Sequence, residues 1–589
     1  MKETSKASLR RSHDPAFVQH YLKGDGIDIG AADDPLSAHA HAFPRMGTLT
    51  QWAASRGNVS AMDGVEDASF DFLHASHVLA QQDNAHKTLA RWLELVKPGG
   101  HAIVTVPDEN LYGKGVWPSR FDRTHKASFA IGKSGKALPH SVDVLELVHA
   151  MSHLADCERI ALVRDHFDPA KADADQTAAG FAECAIEIVL RKRAVPSRAE
   201  LMNAIVDARR ASDAIAAVKE AVRVYPYRFD VYHRGMLALL RWDAPEQADA
   251  LWQQCVERLR GEHLPRLYQA LHLIARGKLR EGFALREAVM GRLGWQRRTT
   301  TEPPRTVPEW KGEPLEGKSI AIWSEFGLGD EIFFLRFAKT FREECGASRV
   351  VVVCQAPLVE LYETSACADE VVDVRNAANI AGVDYWVFPH TIPALMSLDL
   401  EALPQTVPYL RAPAHAASKL PEVAGGKLKV GIVFKGNPTH ENDRSRSMPS
   451  LAVLNDLLGL DGVEFFSLQK GAGAEETAQY AAQHDNFHDV GPHLNTMAET
   501  ASAIAALDLV LTVDTSVAHL AGAMGKPVWL MLPSYGDWRW HYIREDSPWY
   551  PTMRLFRQPF GGDWSQVVAR IRGHMRVLMA GRAAPAPAQ

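Results

Sequence analysis

Short apolar runs that stop at polar or glycine-rich turns recur through the C-terminal half of the chain. Ser319–Trp323 (SIAIW), Arg349–Cys354 (RVVVVC), Tyr385–Phe388, Leu428–Phe434 (LKVGIVF), Val463–Leu468 and Leu509–Val513 all read as buried strands. The last stops at Asp514-Thr515-Ser516. Val517–Met524 follows with helical spacing, Gly525 ends it, and Pro527–Leu532 is the next strand. Glu331–Arg342 and Glu499–Ala506 are helical, and Met448 onward is expected to start another helix. Strands alternating with helices predict parallel sheets, in which ligands sit where strand C-termini meet helix N-termini.

The N-terminal part alternates in the same way. Gly26–Gly30 (GIDIG) is a strand ending in a glycine turn, and Phe70–Leu73 is a second short strand. Leu89–Val96 is helical, Lys97–Gly100 reads as a turn, and His101–Val106 is a further strand. Between the two α/β parts the pattern turns wholly helical. An offset of 34 aligns Ala214, Ala248 and Gly282, then Ala217, Leu251 and Leu285, then Ala221, Cys255 and Val289, which is the tetratricopeptide period. Arg297–Trp310 (RRTTTEPPRTVPEW) is a Pro/Thr linker or strap. The expected domains are 1–193, 194–301, 302–412 and 413–580, with a disordered tail at 581–589.

At 589 residues the chain has room for these units, and its 46% hydrophobic content is ordinary for globular protein. A net charge of −6 argues against a nucleic-acid partner or a membrane-surface protein. The six cysteines are scattered with no CxxC, which reads as reduced core residues in a cytosolic protein. No apolar run reaches the length of a signal-peptide core or a bilayer span. Asp173–Asp175 (DAD) mimics a metal-binding spacing, but it lies in an Ala/Asp-rich stretch and reads as chance.

Chemistry concentrates at the strand ends. Thr515 or Ser516 can cap the helix after Asp514, whose free N–H groups suit a phosphate, and His519 lies one turn in. Capping of an ordinary buried unit is the plainer reading of that turn. Beyond it, Asp537–Gln558 holds three Trp, two Tyr and four Arg, among them Trp538, Arg539 and Trp540, which suits a cleft that stacks rings and pairs anions. The loop Lys435–Ser447 carries Lys435, Asn437, Arg444, Arg446 and Ser447 and is placed to clamp a diphosphate. Gln469 ends a strand where a base or ribose contact is plausible. Gly329 lets another molecule approach the backbone, and Asp330 opens a helix as an N-cap or as a working carboxylate.

VDTSVAHLAGAMGKPVW resembles the nucleotide-sugar motif of the ADP-heptose–lipopolysaccharide heptosyltransferases, glycosyltransferase family nine. DWRW…SPWYPTMRLFRQ and the loop GNPTHENDRSRS are similar to the subgroup in which that domain follows tetratricopeptide repeats. The resemblance runs from about Trp310 to Arg572. It implies a GT-B fold of two Rossmann-like halves, an inverting transfer from an ADP-heptose-like donor without metal, and Asp330 as general base. The donor would contact Gly329, Lys435, Asn437, Arg444, Arg446, Ser447, Gln469, Asp514, Thr515, Ser516, His519, Trp538 and Arg539. The acceptor would be a lipopolysaccharide or other surface polysaccharide, or a glycosylated protein. The location would be cytoplasmic, free or peripheral at the inner face of the membrane. The chain departs from the subgroup at Phe434-Lys435, where Trp-Ala is usual.

LVKPGGHAIVTVP and Asp28–Gly30 resemble the class I S-adenosylmethionine-dependent methyltransferases, and Trp117–Phe129 is similar to a sub-family of them. The resemblance implies cofactor contacts at Asp28, Gly30, Ala31 and His74. GAADDP lacks the usual second glycine, and Gln51 stands where an acidic residue is expected. An inactive methyltransferase-like domain is therefore the other reading of this part. For the whole chain the alternative is a non-catalytic scaffold whose helical array binds a partner.

Overall fold

A computed structural model describes the chain except residues 1, 31–32, 133–137, 139, 172–173, 179, 291–298, 300, 381, 405, 415–417, 424–425, 441–442, 561–562 and 584–589. It divides into two compact units, Met1–Met236 with Asp249–Arg260, and Leu237–Ala248 with Gly261–Gln589.

The first unit is built on β1 (Gly24–Ile29), β2 (Met46–Trp52), β3 (Phe70–Ser76), β4 (Val96–Pro107), β7 (Ala155–Val163) and β8 (Ala185–Lys192), with the pair β5 (Ser128–Ala130) and β6 (Ser141–Asp143) beside them. The main sheet runs β2-β1-β3-β4-β8-β7. The pairs among β1 to β4 are parallel, and β8 is antiparallel to both neighbours. Lys97–Gly100 is not a turn before the strand, as its Pro-Gly-Gly suggests, but part of β4. Gly99 has φ +83°, and a Cβ on Gly100 would meet the Asp71 carbonyl oxygen at 2.2 Å. The glycine pair thus makes a bulge where the β3–β4 register shifts between Phe70 and Phe72.

The helical stretch forms Arg198–Asp207, Ala211–Val224, Phe229–Arg241, Pro245–Arg258, His263–Ala275 and Leu279–Met290. The first begins at a reciprocal cap in which Ser197 and Glu200 satisfy each other's backbone N–H. The last two helices belong to the second unit, where Ile274, Ala275, Leu279 and Phe283 join one core with Ile320, Phe333 and Trp538.

The second unit has two parallel sheets. One runs β11-β10-β9-β12, from β9 (Ser319–Ile322), β10 (Arg349–Cys354), β11 (Glu370–Asp373) and β12 (Tyr385–Val387). The other runs β15-β14-β13-β16-β17-β18, from β13 (Leu428–Val433), β14 (Val463–Ser467), β15 (Phe487–Asp489), β16 (Leu509–Val513), β17 (Val528–Leu532) and β18 (Met553–Arg557). Every pair in both is parallel. The inner strands β10, β14 and β16 are short and almost wholly buried, as strands covered on both faces require. The expected helix Glu331–Arg342 is two, Leu328–Phe334 and Arg336–Glu343. Met448 does not start a helix; short turns at Leu451–Leu454 and Asn455–Leu458 stand there. The last helix, Trp564–Ala583, takes in residues 581–583 of the segment expected as a disordered tail, and 584–589 lie outside the described residues.

Candidate active site

In the second unit four side chains meet, each carried by a turn at the C-terminal end of a parallel strand. Glu325 follows β9, Asp330 stands in the first turn of helix Leu328–Phe334, His390 follows β12, and Arg539 lies in a short turn after β17. Asp330 Oδ2 accepts the Gly327 N–H at 3.0 Å, so the carboxylate closes the helix start from its first turn instead of serving as the N-cap residue. Its other oxygen, Oδ1, accepts Arg539 Nη2 at 2.5 Å and lies 3.5 Å from His390 Nε2. Arg539 Nη2 is also 3.2 Å from His390 Nε2. A guanidinium can only donate, so Nε2 is the acceptor and Nδ1 carries the proton. That Nδ1–H and the His390 backbone N–H both donate to Glu325 Oε2 at 2.9 Å. Arg539 Nη1 donates to Asp537 Oδ1 at 2.8 Å, and Asp537 accepts the Arg539 backbone N–H as well.

Burial would push the Asp330 carboxyl up, but the Arg539 guanidinium and the Gly327 N–H hold it well below the usual carboxylate range. Arg539 is 6% exposed and its guanidinium lies 4.2 Å over Trp538 and 4.8 Å over Phe333. Asp537 and Asp330 raise its pKa against the cost of burial. The neighbouring Glu331 carboxyl is pushed up to about 7 by burial, although Ser324 and Gln355 donate to it.

The second sheet adds Asp514 at the end of β16. Burial and the Asp537 carboxylate push its carboxyl up to about 6, against Trp540, Arg446 and Arg539. Thr515 is the N-cap of helix Ser516–Ala523, but its side chain makes no capping bond; its hydroxyl lies 3.3 Å from that of Thr512. His519 bonds the Tyr550 hydroxyl at 3.0 Å, stacks on Trp540 at 5.2 Å, and is lowered to about 3 by burial and Arg539. A Cβ on Gly329 would stand 3.0 Å from the His519 ring and 3.7 Å from the Ser516 Cα, so glycine there lets the two helix starts approach. Beside the group, Phe326 is exposed, has φ +61°, and sets its ring edge-on to His390 at 5.0 Å.

The Lys435–Ser447 loop is largely tied to itself. Ser447 Oγ accepts the Gly436 N–H and donates to Asp443, Asn437 accepts from Thr439, and Arg446 Nε donates to Asp443 at 3.3 Å. Arg444 is exposed, while Glu441 and Asn442 lie outside the described residues. Three expectations change. Lys435 pairs with Glu476 at 2.5 Å, which takes its charge to the helix Ala474–Ala481. Gln469 is 2% exposed and its amide is spent on Phe434, Lys435, Lys470 and Ala472 backbone groups, so it braces the loop and has nothing left for a base or ribose. Trp538 is 6% exposed and supports Arg539, which removes it from the sugar side.

Glu325, His390 and Asp537 were missed in the sequence. Each had a signal: a polar residue three to five positions past the end of an apolar strand, in WSEFG, VFPH and LPSYGD.

In the first unit, Asp28, Gly30 and His74 are committed to the protein. Asp28 Oδ1 is 2.7 Å from His74 Nδ1 and Oδ2 accepts the Leu36 N–H at 2.7 Å. His74 Nε2 meets Arg11 of the helix Glu3–Arg11, and Arg11 donates to Thr105 and Glu187. Asp28, His74, Arg11 and Glu187 are all 0% exposed. The space above Gly30 is filled by Val78, 2.2 Å from where a Cβ would stand. The side chains of Asp28 and His74 are therefore engaged within the protein, and Ala31 lies outside the described residues. Asp175 caps Thr177, and Asp173 is also outside the described residues.

Residues 453–535 match the family model for glycosyltransferase family 9 (heptosyltransferase). Residues 26–104 match a methyltransferase-domain model. The chain thus carries a domain of each kind, in an α/β multidomain fold whose sheets are Rossmann-like. The first match contains Asp514 and His519; Asp330, His390 and Arg539 lie outside it. Protein FlbA of Caulobacter vibrioides is 27% identical over 397 residues, or 62% of this chain. The chain matches 64% of the length of that relative. A glycosyl transferase family 9 structure from Veillonella parvula is 13% identical over 46% of this chain and 100% of its own, with a TM-score of 0.33. A SAM-dependent methyltransferase from Methanosarcina mazei is 12% identical over 30% of this chain and 96% of its own, with a TM-score of 0.21. Among the described residues no helix is long and apolar enough to cross a membrane.

Proposed function

We propose that the chain transfers a glycosyl group from a nucleotide-diphosphate sugar to a hydroxyl of a glycan, with inversion at the anomeric carbon. The observation that carries this reading is the pairing of Asp330, presented after the first parallel sheet of the second unit, with Arg539, presented after a strand of the second, where Asp514 lies 3.9 Å from His519. Asp330 accepts the acceptor's hydroxyl proton as that oxygen bonds the anomeric carbon. The bond from that carbon to the phosphate oxygen breaks, and its electron pair leaves with the nucleoside diphosphate. Arg446, Arg539 and the uncapped N–H groups of helix Ser516–Ala523 oppose the charge that develops there. A carboxyl at Asp514 raised to about 6 repels a diphosphate less than an ordinary aspartate would.

Family resemblance favours an ADP-heptose-like donor. The acceptor is then a lipopolysaccharide, another surface polysaccharide or a glycosylated protein, met at the inner face of the membrane. The helices of 194–301 are the candidate holder for it. No step is assigned to the methyltransferase-like domain, because its expected cofactor residues are occupied by the protein itself.

A thermal-shift panel of ADP-, UDP- and GDP-sugars tests the reading. A ligand at a hundredfold excess over its Kd stabilises by about 2.7 kcal/mol. One donor should shift the wild type and Asp330→Ala but not Asp514→Ala. A panel that shifts nothing would sink the assignment.

A further inference from the structure

We propose that Arg539 is a latch on the base: it holds Asp330 and His390 in a resting state and is drawn off them when the donor diphosphate arrives. The inference rests on the transfer reading above and concerns how that site is switched on.

Three observations carry it. Arg539 Nη2 is shared between Asp330 Oδ1 at 2.5 Å and His390 Nε2 at 3.2 Å, so one cation occupies both proton-accepting atoms of the group. A carboxylate so engaged is a poor base, because the acceptor's proton would have to displace a guanidinium. Next, Arg539 is not locked on every side: its Nε has no hydrogen-bond partner although it is buried. The flat guanidinium rests on Trp538 and Phe333 faces, over which it can slide while still stacked. Finally, the structure behind the pair is built for a proton. His390 Nδ1–H is already held by Glu325, leaving Nε2 as a free acceptor 3.5 Å from Asp330 once the guanidinium departs.

The groups facing Arg539 fix the direction of the change. Asp330 and, through His390, Glu325 face it from the first sheet. Asp537 lies on its own turn, Asp514 and His519 face it from the β16 turn and the helix after it, and Arg446 and Arg336 are the nearby cations. A diphosphate adds two negative charges beside Asp514, where Arg446 already stands, and competes with Asp330 for the guanidinium. When Arg539 moves toward it, an imidazole acceptor and a carboxylate are left face to face with Glu325 behind them. Such an arrangement takes up a proton on His390 Nε2, which answers the charges of Glu325 and Asp330 and leaves the Asp330 carboxylate ionised for the acceptor hydroxyl. Binding is thereby coupled to activation, and the donor must bind before the base can act. Arg539 is in these terms a positioning residue; it also joins the diphosphate after it moves.

Proton uptake by the Asp330–His390 pair, over and above any at Asp514 beside the diphosphate, is the signature, because uptake at Asp514 would be the same in variants of the pair. Titrations of the full-length protein with ADP-ribose, UDP-glucose and GDP-mannose at pH 7, in two buffers of different ionisation enthalpy, count the protons taken up on binding. The diphosphate of each probe is doubly esterified and does not titrate near neutrality. The expected result is uptake of up to about one proton per molecule bound in the wild type. His390→Gln and Asp330→Asn should each bind the same probe with that uptake abolished. Binding with no uptake in the wild type, or equal uptake in all three proteins, overturns the latch while leaving the transfer reading intact. Failure of all three probes to bind overturns the donor pocket itself, and the latch with it.

Discussion

The two units contain the same four residue types in contact, and use them in opposite ways. Asp28, His74, Arg11 and Glu187 form one quartet; Asp330, His390, Arg539 and Glu325 form the other. In the first, three members sit within strands, on β1, β3 and β8, and the fourth is on the helix that covers them. All four are 0% exposed, and Glu187 takes two arginines at 2.7 and 2.8 Å. In the second, all four lie just past strand C-termini, where a parallel sheet opens toward ligands. Asp330 keeps a quarter of its side chain exposed, Arg539 Nε is unpartnered, and Phe326 beside them holds a left-handed backbone. Composition does not separate a structural charge cluster from a reactive one. Position along the strand, and whether any polar valence is left open, does.

Substitution should separate them further. The largest effect expected is at Asp330: Asp330→Asn should lower transfer by about 10³-fold, within the range for loss of a general base, with the smaller part of its effect falling on stability because buried Arg539 keeps Asp537. A turnover assay beside a melting curve checks both halves of that statement. Glu187→Gln should do the reverse, costing about 3–5 kcal/mol because it leaves buried arginines uncompensated. Hydrogen exchange of the β8 amides reads that loss without interference from the second unit.

The same glutamate predicts an acid response. Burial opposes its charge, but Arg11 and Arg10 prevail and hold Glu187 at about 2, below the ordinary glutamate value of 4.5. Its folded value is depressed, so its contribution is present above about 4.5 and is lost as pH falls toward 2. The loss is about 3 kcal/mol in all. Protection of the β8 amides should fall across that window and not above it.

Glu331 offers a sharper test within the second unit. Its carboxyl is pushed up to about 7, the range a general base favours, yet its oxygens are held by Ser324 and Gln355. Glu331→Gln should cost about 1 kcal/mol of stability and leave turnover largely intact. A loss as deep as that of Asp330→Asn would move the base to Glu331. The smallest effect is expected at Phe326. Phe326→Gly relieves the φ of +61°, so stability should stay within about 1 kcal/mol of wild type while acceptor kcat/KM falls several-fold.

Much of this was legible in the sequence, because apolar runs ending in polar turns mark parallel strands. The Asp514 turn and the Asp330 helix start both fall where that pattern placed them. What the pattern could not give was which polar atoms are already spent. Gln469 reads as a ligand contact from its place after β14, but a buried amide is consumed by whatever backbone surrounds it. Trp538 and Lys435 fail as ligand contacts for the same reason, one stacked under Arg539 and the other paired with Glu476. His390 and Glu325 went unread because each is a single polar residue after a strand. Only the pairing of sheets in space brings them to Asp330.

The most direct test is turnover of whichever nucleotide sugar the binding panel identifies, followed as release of nucleoside diphosphate from full-length wild type and Asp330→Asn at equal donor occupancy. Release by the wild type and a roughly 10³-fold loss in the variant is the predicted result. Equal release by the two proteins would contradict the assignment of the second quartet as the site of chemistry.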